Sequence, residues 1–438
     1  MTQGFTNNET ATTPGDDTEH IVTVDKVEAN LFFDGTLNNY FNVMKASDEV
    51  RQKYGGKDTS YANALSNVAR MWEPIGKGAD GPDIALYVEG MGTTEFKGDD
   101  VIGYALGEGE TGIEQRALQA FAPLIKKVAK KRENLGPPAI LSLNIFGFSR
   151  GAATARHFVS LIKRKDITSQ FFELDWEHVI LEANFVGLFD TVASFGFVHT
   201  NDVQQLHLNF APESALRVFH IAALDEYREN FSLSSITSAC AANVSYAGKT
   251  CPMGFEIAIP GAHSDVGGGY HADVGKPERE ERNLPPTRKV ATRGGESTQH
   301  GPQAFAYQQG WYQPKDLTSK PYGHARDVIG DYYKVALSMM VDMAEKHTTA
   351  DYSKLKMEVD AQEPDVATVQ STLRGLAKAH AFTPGKPTRL EWGLNTHLGD
   401  AKAKDFRRSF LHVSFSDAFG MGPRYRNDTE LARRVLPG

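Results

Sequence analysis

The chain has 438 residues, 40% hydrophobic and 23% charged, enough apolar material for one large globular domain or two ordinary ones and too much for a disulfide mini-protein or a disordered tail. Its 55 acidic and 47 basic residues leave a formal charge of −8, so no general positive field exists to hold a phosphate backbone, and nucleic acid is not an expected partner. Apolar runs such as Leu31 to Phe33 and Ala139 to Phe146 fall far short of the roughly 18 residues that a membrane-spanning helix needs.

Residues 1–22 are polar, rich in Thr, Asn, Gly and Asp, and read as a disordered leader that offers little to bury. They lack a basic segment followed by an apolar one, so no Sec signal is expected and the chain reads as made in a cytoplasm. From residue 23 to 270, short runs rich in Val, Ile and Phe alternate with stretches of helical periodicity. That alternation predicts an α/β core with a mainly parallel sheet covered by helices on both faces. The strands are expected at Lys26 to Phe33, Ile84 to Glu89, Pro138 to Phe146, His178 to Phe189, Arg217 to Leu224 and Phe255 to Ile259. Helices are expected at Ser60 to Trp72, at Gly112 to Glu133 with Pro123 kinking it or marking its true start, and from just after Ser149 to about Lys163.

Residues 271–324 are rich in Pro, Gly, Lys, Glu and Gln and lack periodicity, which predicts an insertion or lid-like loop region, with Phe305 to Tyr312 as candidate exposed apolar residues of a lid. Residues 325–438 complete the chain with C-terminal segments packed on the core. These comprise a helix at Ala325 to Lys346 whose methionine stripe reads as core, a helix at Asp365 to His380 and a short strand at Phe410 to Phe415. The two cysteines, Cys240 and Cys251, are too few for a disulfide framework; two buried or half-buried thiols are expected, with a single bridge open.

The strongest chemical signal is Gly147-Phe148-Ser149-Arg150-Gly151, placed between an apolar strand and an Ala-rich helix. In a nucleophile elbow the chain reverses so sharply that the flanking positions must be small, which Gly147 and Gly151 supply. A serine hydroxyl needs a histidine to take its proton and an acid to orient that histidine; on this architecture both follow the serine, acid first, at later strand ends. Asp190 ends the run Phe185 to Phe189, and His263 follows Phe255 to Ile259 through Pro260-Gly261-Ala262. His412 is the rival base and Asp265 the rival acid, although Asp265 lies so close to His263 that it reads as fixing the loop; His220 reads as packed. The Arg150 amide is the expected first oxyanion donor. The turn Asp34-Gly35-Thr36 after the first strand is the expected source of the second, with Gly90-Met91-Gly92-Thr93 a weaker alternative. Asp225-Glu226 with Arg228 reads as a salt-bridge network. No dinucleotide fingerprint or P-loop occurs, and no cofactor or metal is expected.

Phe32-Phe33-Asp34-Gly35-Thr36 with Asn38-Asn39, Gly147 to Ala152, Gly187-Leu188-Phe189-Asp190-Thr191, Asp225-Glu226 with Arg228, and Pro260 to Tyr270 occur in one order. Together they resemble the first class of type VI secretion lipase effectors over about residues 27–270. The resemblance implies an α/β-hydrolase core, a triad falling on Ser149, Asp190 and His263, and phospholipase A activity on membrane glycerophospholipids. It also implies export by a contractile injection machine into a rival bacterium's periplasm, with an immunity protein and a spike or adaptor protein as partners. Hydrolysis of soluble esters or lysophospholipids, an amidase using the same triad, and a non-enzymatic partner-binding module are the alternatives.

Overall fold

The computed structural model describes residues 24–56, 59–76, 83–100, 112–133, 135–164, 178–193, 202–246, 248–271, 277–292, 295–418, 421–426 and 430–438. The leader expected at 1–22 lies outside them. Seven parallel strands form one sheet: β1 (Lys26–Phe33), β2 (Ile84–Val88), β3 (Ile140–Phe148), β4 (Ile180–Phe189), β5 (Arg217–Ala223), β6 (Gly254–Ile259) and β7 (Arg389–Glu391), in the order β7-β6-β5-β4-β3-β1-β2. The first six are the strands expected from the sequence, displaced by no more than a few residues at either end. The short edge strand β7 has no such signature.

Period-two alternation sends neighbouring side chains to opposite layers. Leu31 and Phe33 of β1 join Leu143 and Ile145 of β3 and Val186 and Leu188 of β4 on one face, whereas Phe32, Phe146 and Phe185 occupy the other. The helices of the described residues include α1 (Asn67–Gly76), α2 (Ile113–Gln119), α3 (Phe121–Lys131), α4 (Arg150–Arg164), α5 (His263–Gly267), α6 (Pro302–Gln309), α7 (Tyr333–His347), α8 (Pro364–His380) and α9 (Asp400–Phe410). Helices α2, α3 and α4 cover the first face and α1, α7, α8 and α9 the second, so the sheet is buried on both sides. Met339, Met340 and Met343 of α7 are core residues, as their spacing predicts.

Several expected elements are corrected. The Ser66 hydroxyl accepts from the Ala69 amide at 3.0 Å, so α1 starts there and not at Ser60. The long helix expected at 112–133 is two, divided at Ala120, with Pro123 in the first turn of α3, where its missing N–H costs nothing. Residues Gly323–Ile329 form a strand antiparallel to Pro277–Asn283, so α7 begins only at Tyr333. The stretch Leu411 to Phe415 forms no ladder: the His412 amide donates to Asp265 at 3.0 Å and the Val413 amide to Glu280 at 2.8 Å, so side-chain carboxylates satisfy the backbone that a neighbouring strand would have.

The described residues after 276 include a second antiparallel pair, Thr287–Thr292 with Gly295–His300, followed by α6. Phe305, Trp311 and Tyr312 are buried against Val413, Phe415 and Leu431, so these residues form a satellite core and not the exposed apolar face of a lid. Cys240 and Cys251 are unbridged and half-buried. Because Trp311 is fully enclosed, Trp311→Ala is expected to lower unfolding free energy by about 3 kcal/mol or more in urea titration. A change within about 0.5 kcal/mol, as at exposed positions, would contradict this packing.

Candidate active site

Between the end of β3 at Phe148 and the start of α4 at Arg150 a single residue, Ser149, reverses the chain, and it does so at φ +57°. A left-handed serine is strained, and such strain concentrates at functional sites. The reversal needs glycine on both sides. A Cβ on Gly147 would lie 2.6 Å from the Ala152 Cα, and one on Gly151 would lie 2.3 Å from the carbonyl oxygens of Phe33 and Asp34. The Ser149 amide donates to the Phe189 carbonyl at 3.0 Å, and its carbonyl accepts from Ala152, Ala153 and Val192. The hydroxyl makes no hydrogen bond among the described residues; in unliganded hydrolases the contact with the base commonly tightens only on substrate binding.

Because Phe148 of β3 pairs with Phe189 of β4, the next residues, Ser149 and Asp190, stand side by side at the strand ends. Asp190 is also left-handed, at φ +41°, and fully buried. Its Oδ2 accepts from His263 Nδ1 at 2.5 Å and its Oδ1 from the Ala223 amide at 2.9 Å. The His263 ring lies against Phe148, with centroids 4.6 Å apart, and Phe231 meets it edge-on at 5.2 Å.

Carboxylates pin the loop that presents His263. Glu226 accepts from the His263 amide at 3.3 Å, Asp225 from the Gly261 amide at 2.8 Å and Asp265 from the Ala262 amide at 2.8 Å. Arg228 clamps Glu226 in turn, at 2.9 and 2.7 Å. The Asp225-Glu226-Arg228 segment is thus the salt-bridge network its sequence suggests, and Asp265 fixes the loop.

The sequence gives no sign of Arg433. It follows the last helix by more than twenty residues in a segment without periodicity, yet it grips the Asp190 carboxylate with Nη1 to Oδ1 at 2.5 Å and Nη2 to Oδ2 at 2.9 Å. Only a general rule points toward it: a buried carboxylate needs a paired cation or several hydrogen-bond donors to stay charged.

Electrostatics separate the histidines. Burial lowers the His263 pKa from 6.5 and the Asp190 hydrogen bond offsets this only in part, so the ring is neutral at pH 7 and able to take a proton. Burial would raise Asp190, but Arg433 and His263 outweigh it and hold the carboxylate well below its ordinary range. His412 pairs through Nδ1 with Asp265 at 2.7 Å and turns Nε2 toward Glu278 at 3.7 Å. Burial would lower its pKa, yet Asp265, Glu278 and Glu280 push it up to about 9, so it is already protonated at pH 7 and is a poor base. His220 donates from Nδ1 to Glu256 at 2.9 Å while Nε2 accepts from the Thr191 amide at 3.1 Å, which leaves no free nitrogen.

The oxyanion expectation for Asp34 and Gly35 is corrected. The Asp34 amide donates to the Val88 carbonyl at 3.0 Å and the Gly35 amide to the Asp34 carboxylate at 2.7 Å, so both are committed within the turn. The Asp34 carboxyl also accepts from the Tyr87 hydroxyl at 2.5 Å, and burial pushes its pKa up to about 6. Next along, the Thr36 amide has no acceptor among the described residues, and Thr36 Oγ1 accepts from Arg150 Nε at 2.6 Å, tying this turn to the start of α4. The Gly90 to Thr93 alternative is a supporting turn: its Gly90 amide donates to Asn38 and its Thr93 amide to Gly90. Among the described residues no cluster of three His, Cys, Asp or Glu side chains could hold a metal, and no helix is long and apolar enough to cross a membrane.

The family described as "T6SS, Phospholipase effector Tle1-like, catalytic domain" matches residues 29–178 and 163–285, more than half of the chain. The protein belongs to this family of type VI secretion phospholipase effectors. Its catalytic domain is that of a hydrolase. Among solved structures, the Tle1 effector bound to the VgrG spike of the type VI secretion system is similar at 20% identity, over 98% of both chains and with a TM-score of 0.56, which is a likeness of fold. An uncharacterized protein from Pseudomonas aeruginosa aligns at 19% identity over 82% of this chain and 52% of its own, with a TM-score of 0.44. No curated protein sequence matches the chain.

Because His263 must be neutral to act as base and its pKa lies below 6.5, kcat/KM for an ester substrate is expected to fall on the acid side with a midpoint below pH 6.5. A midpoint at 7 or above in a steady-state pH profile would contradict this assignment.

Proposed function

We propose that the protein is a serine carboxylester hydrolase that acts as a phospholipase A on membrane glycerophospholipids. The observation that carries the reading is the buried His263–Asp190 pair set beside the strained Ser149 elbow, at the C-terminal ends of β3, β4 and β6. Ser149 Oγ attacks the ester carbonyl while His263 Nε2 takes its proton and Asp190 stabilises the resulting imidazolium. The oxyanion of the tetrahedral intermediate is received by the amide of Arg150 at the start of α4 and by that of Thr36. Collapse breaks the bond to the glycerol oxygen, which leaves with the proton from His263. Water, deprotonated by the same imidazole, then releases the fatty acid and restores Ser149.

Membership of an effector family supports delivery through the type VI machine into a competitor's periplasm, with an immunity protein protecting the producer. The spike-bound Tle1 structure supports a spike protein as carrier. A second reading, hydrolysis of soluble esters or lysophospholipids, is favoured by the burial of Phe305, Trp311 and Tyr312, which removes an expected lipid-facing surface.

Fatty-acid release from phospholipid vesicles, beside turnover of a short-chain ester, separates the two readings. Wild-type protein is expected to act on both, and Ser149→Ala to lose roughly 10³-fold or more on each. Ser149-dependent turnover of the short ester alone would select the soluble-ester reading. No turnover of either by folded protein would overturn the hydrolase and favour a binding module.

A further inference from the structure

The last residues of the chain run back onto the site. Val435 pairs in parallel with Leu233, the Leu233 amide donates to the Arg434 carbonyl at 2.8 Å, and the Ser235 amide donates to the Leu436 carbonyl at 2.9 Å. The segment they join is tied to the triad acid: the Ser234 amide donates to the carbonyl of Thr191, the residue after Asp190. Arg433 is therefore delivered by backbone pairing to the strand end where Asp190 stands.

Its side chain is only 6% exposed, and its donors are distributed in a fixed pattern. Nε donates to the Phe231 carbonyl at 2.8 Å, and Nη1 donates to the Ala223 carbonyl at 3.1 Å as well as to Asp190; Nη2 closes the fork on the other carboxylate oxygen. The same Ala223 gives its amide to Asp190 Oδ1, and the same Phe231 packs its ring on His263. Arg433 thus binds the acid and the two residues that frame the acid and the base. A bidentate fork leaves a carboxylate one orientation, which lysine or glutamine cannot enforce as well.

We propose that Arg433 is a positioning residue of this hydrolase: it fixes the rotamer of Asp190 for His263 and offsets the charge that Asp190 presents to the imidazole. The inference rests on the hydrolase reading above. The charged groups that act on His263 are Asp190 after β4 and Glu226 and Arg228 from the loop after β5; Arg433, from the C-terminal segment, acts on Asp190 and Glu226, so its influence on the imidazole passes through those carboxylates. The facing rings of Phe148 and Phe231 are neutral. Arg433 offsets the charge of the carboxylate that is hydrogen-bonded to the imidazole. Removing the Arg433 guanidinium leaves the charge of Asp190 less compensated, which favours the imidazolium in the resting enzyme.

The test compares wild type with Arg433→Gln, which removes the charge but keeps hydrogen-bonding capacity, and Arg433→Lys, which keeps the charge but loses the fork. For a short-chain ester, kcat in Arg433→Gln is expected to fall about 10- to 100-fold with KM nearly unchanged. Its acid limb is expected to move up by about half a unit to one unit. Arg433→Lys is expected to lose kcat while its acid limb stays at the wild-type position. A folded Arg433→Gln with an unmoved limb, whatever its kcat, would reduce Arg433 to a structural brace and overturn the proposal. Should that variant not fold, wild-type kcat in Arg433→Lys would overturn it equally. Ser149→Ala is run in parallel: turnover that survives it means the hydrolase reading has failed. In that event NMR titration of His263, assigned by difference with His263→Gln, still decides, because the imidazole midpoint must rise in Arg433→Gln and stay in Arg433→Lys.

Discussion

The structure around the site depends on keeping one carboxylate charged in a place without water. Asp190 is fully buried, and a lone carboxylate there would be too costly to keep ionised. Four donors converge on it: the His263 ring, the Ala223 amide and both arms of Arg433. These come from three distant parts of the chain, so the sheet, the loop before α5 and the C-terminal segment all contribute to holding the charge.

Among the described residues there are three buried histidine–carboxylate pairs, and their surroundings give them different chemistry. His263 with Asp190 keeps a neutral ring because burial outweighs the hydrogen bond to the carboxylate. His412 with Asp265 lies beside Glu278 and Glu280 and is held protonated. There it bridges α5 to the chain after α9, with its ring stacked on Tyr270 at 3.7 Å. His220 with Glu256 has both nitrogens occupied and locks Thr191 next to the acid. One pair is arranged for proton transfer and the other two hold the frame, a distinction that residue types alone cannot make.

What could be read from the sequence follows from how local the physics is. The six buried strands of the sheet are legible because both-face burial forces continuous apolar runs, and the elbow is legible because close backbone approach admits only glycine at positions 147 and 151. The order of acid and base is legible from strand ends. The strand at Gly323–Ile329 is hidden because its partner, Pro277–Asn283, is mostly charged, and that ladder buries ion pairs such as Arg326 with Glu280 in place of an apolar face. Leu411 to Phe415 looks like a strand by composition, but carboxylates from elsewhere take up its amides. Trp311 and Tyr312 looked available for a surface role only because their partners, Val413 and Phe415, lie a hundred residues on. Arg433 is least legible, since its role is fixed by a contact 243 residues away in sequence and by no local pattern.

The most direct test of the account is where a fluorophosphonate attaches, since that reagent needs an activated serine beside an oxyanion site. Intact mass and peptide mapping are expected to find one adduct, on Ser149, that fails to form in His263→Gln at the same concentration and time. An adduct on another serine, or none on folded wild-type protein, would contradict the claim that the buried pair behind Ser149 activates it.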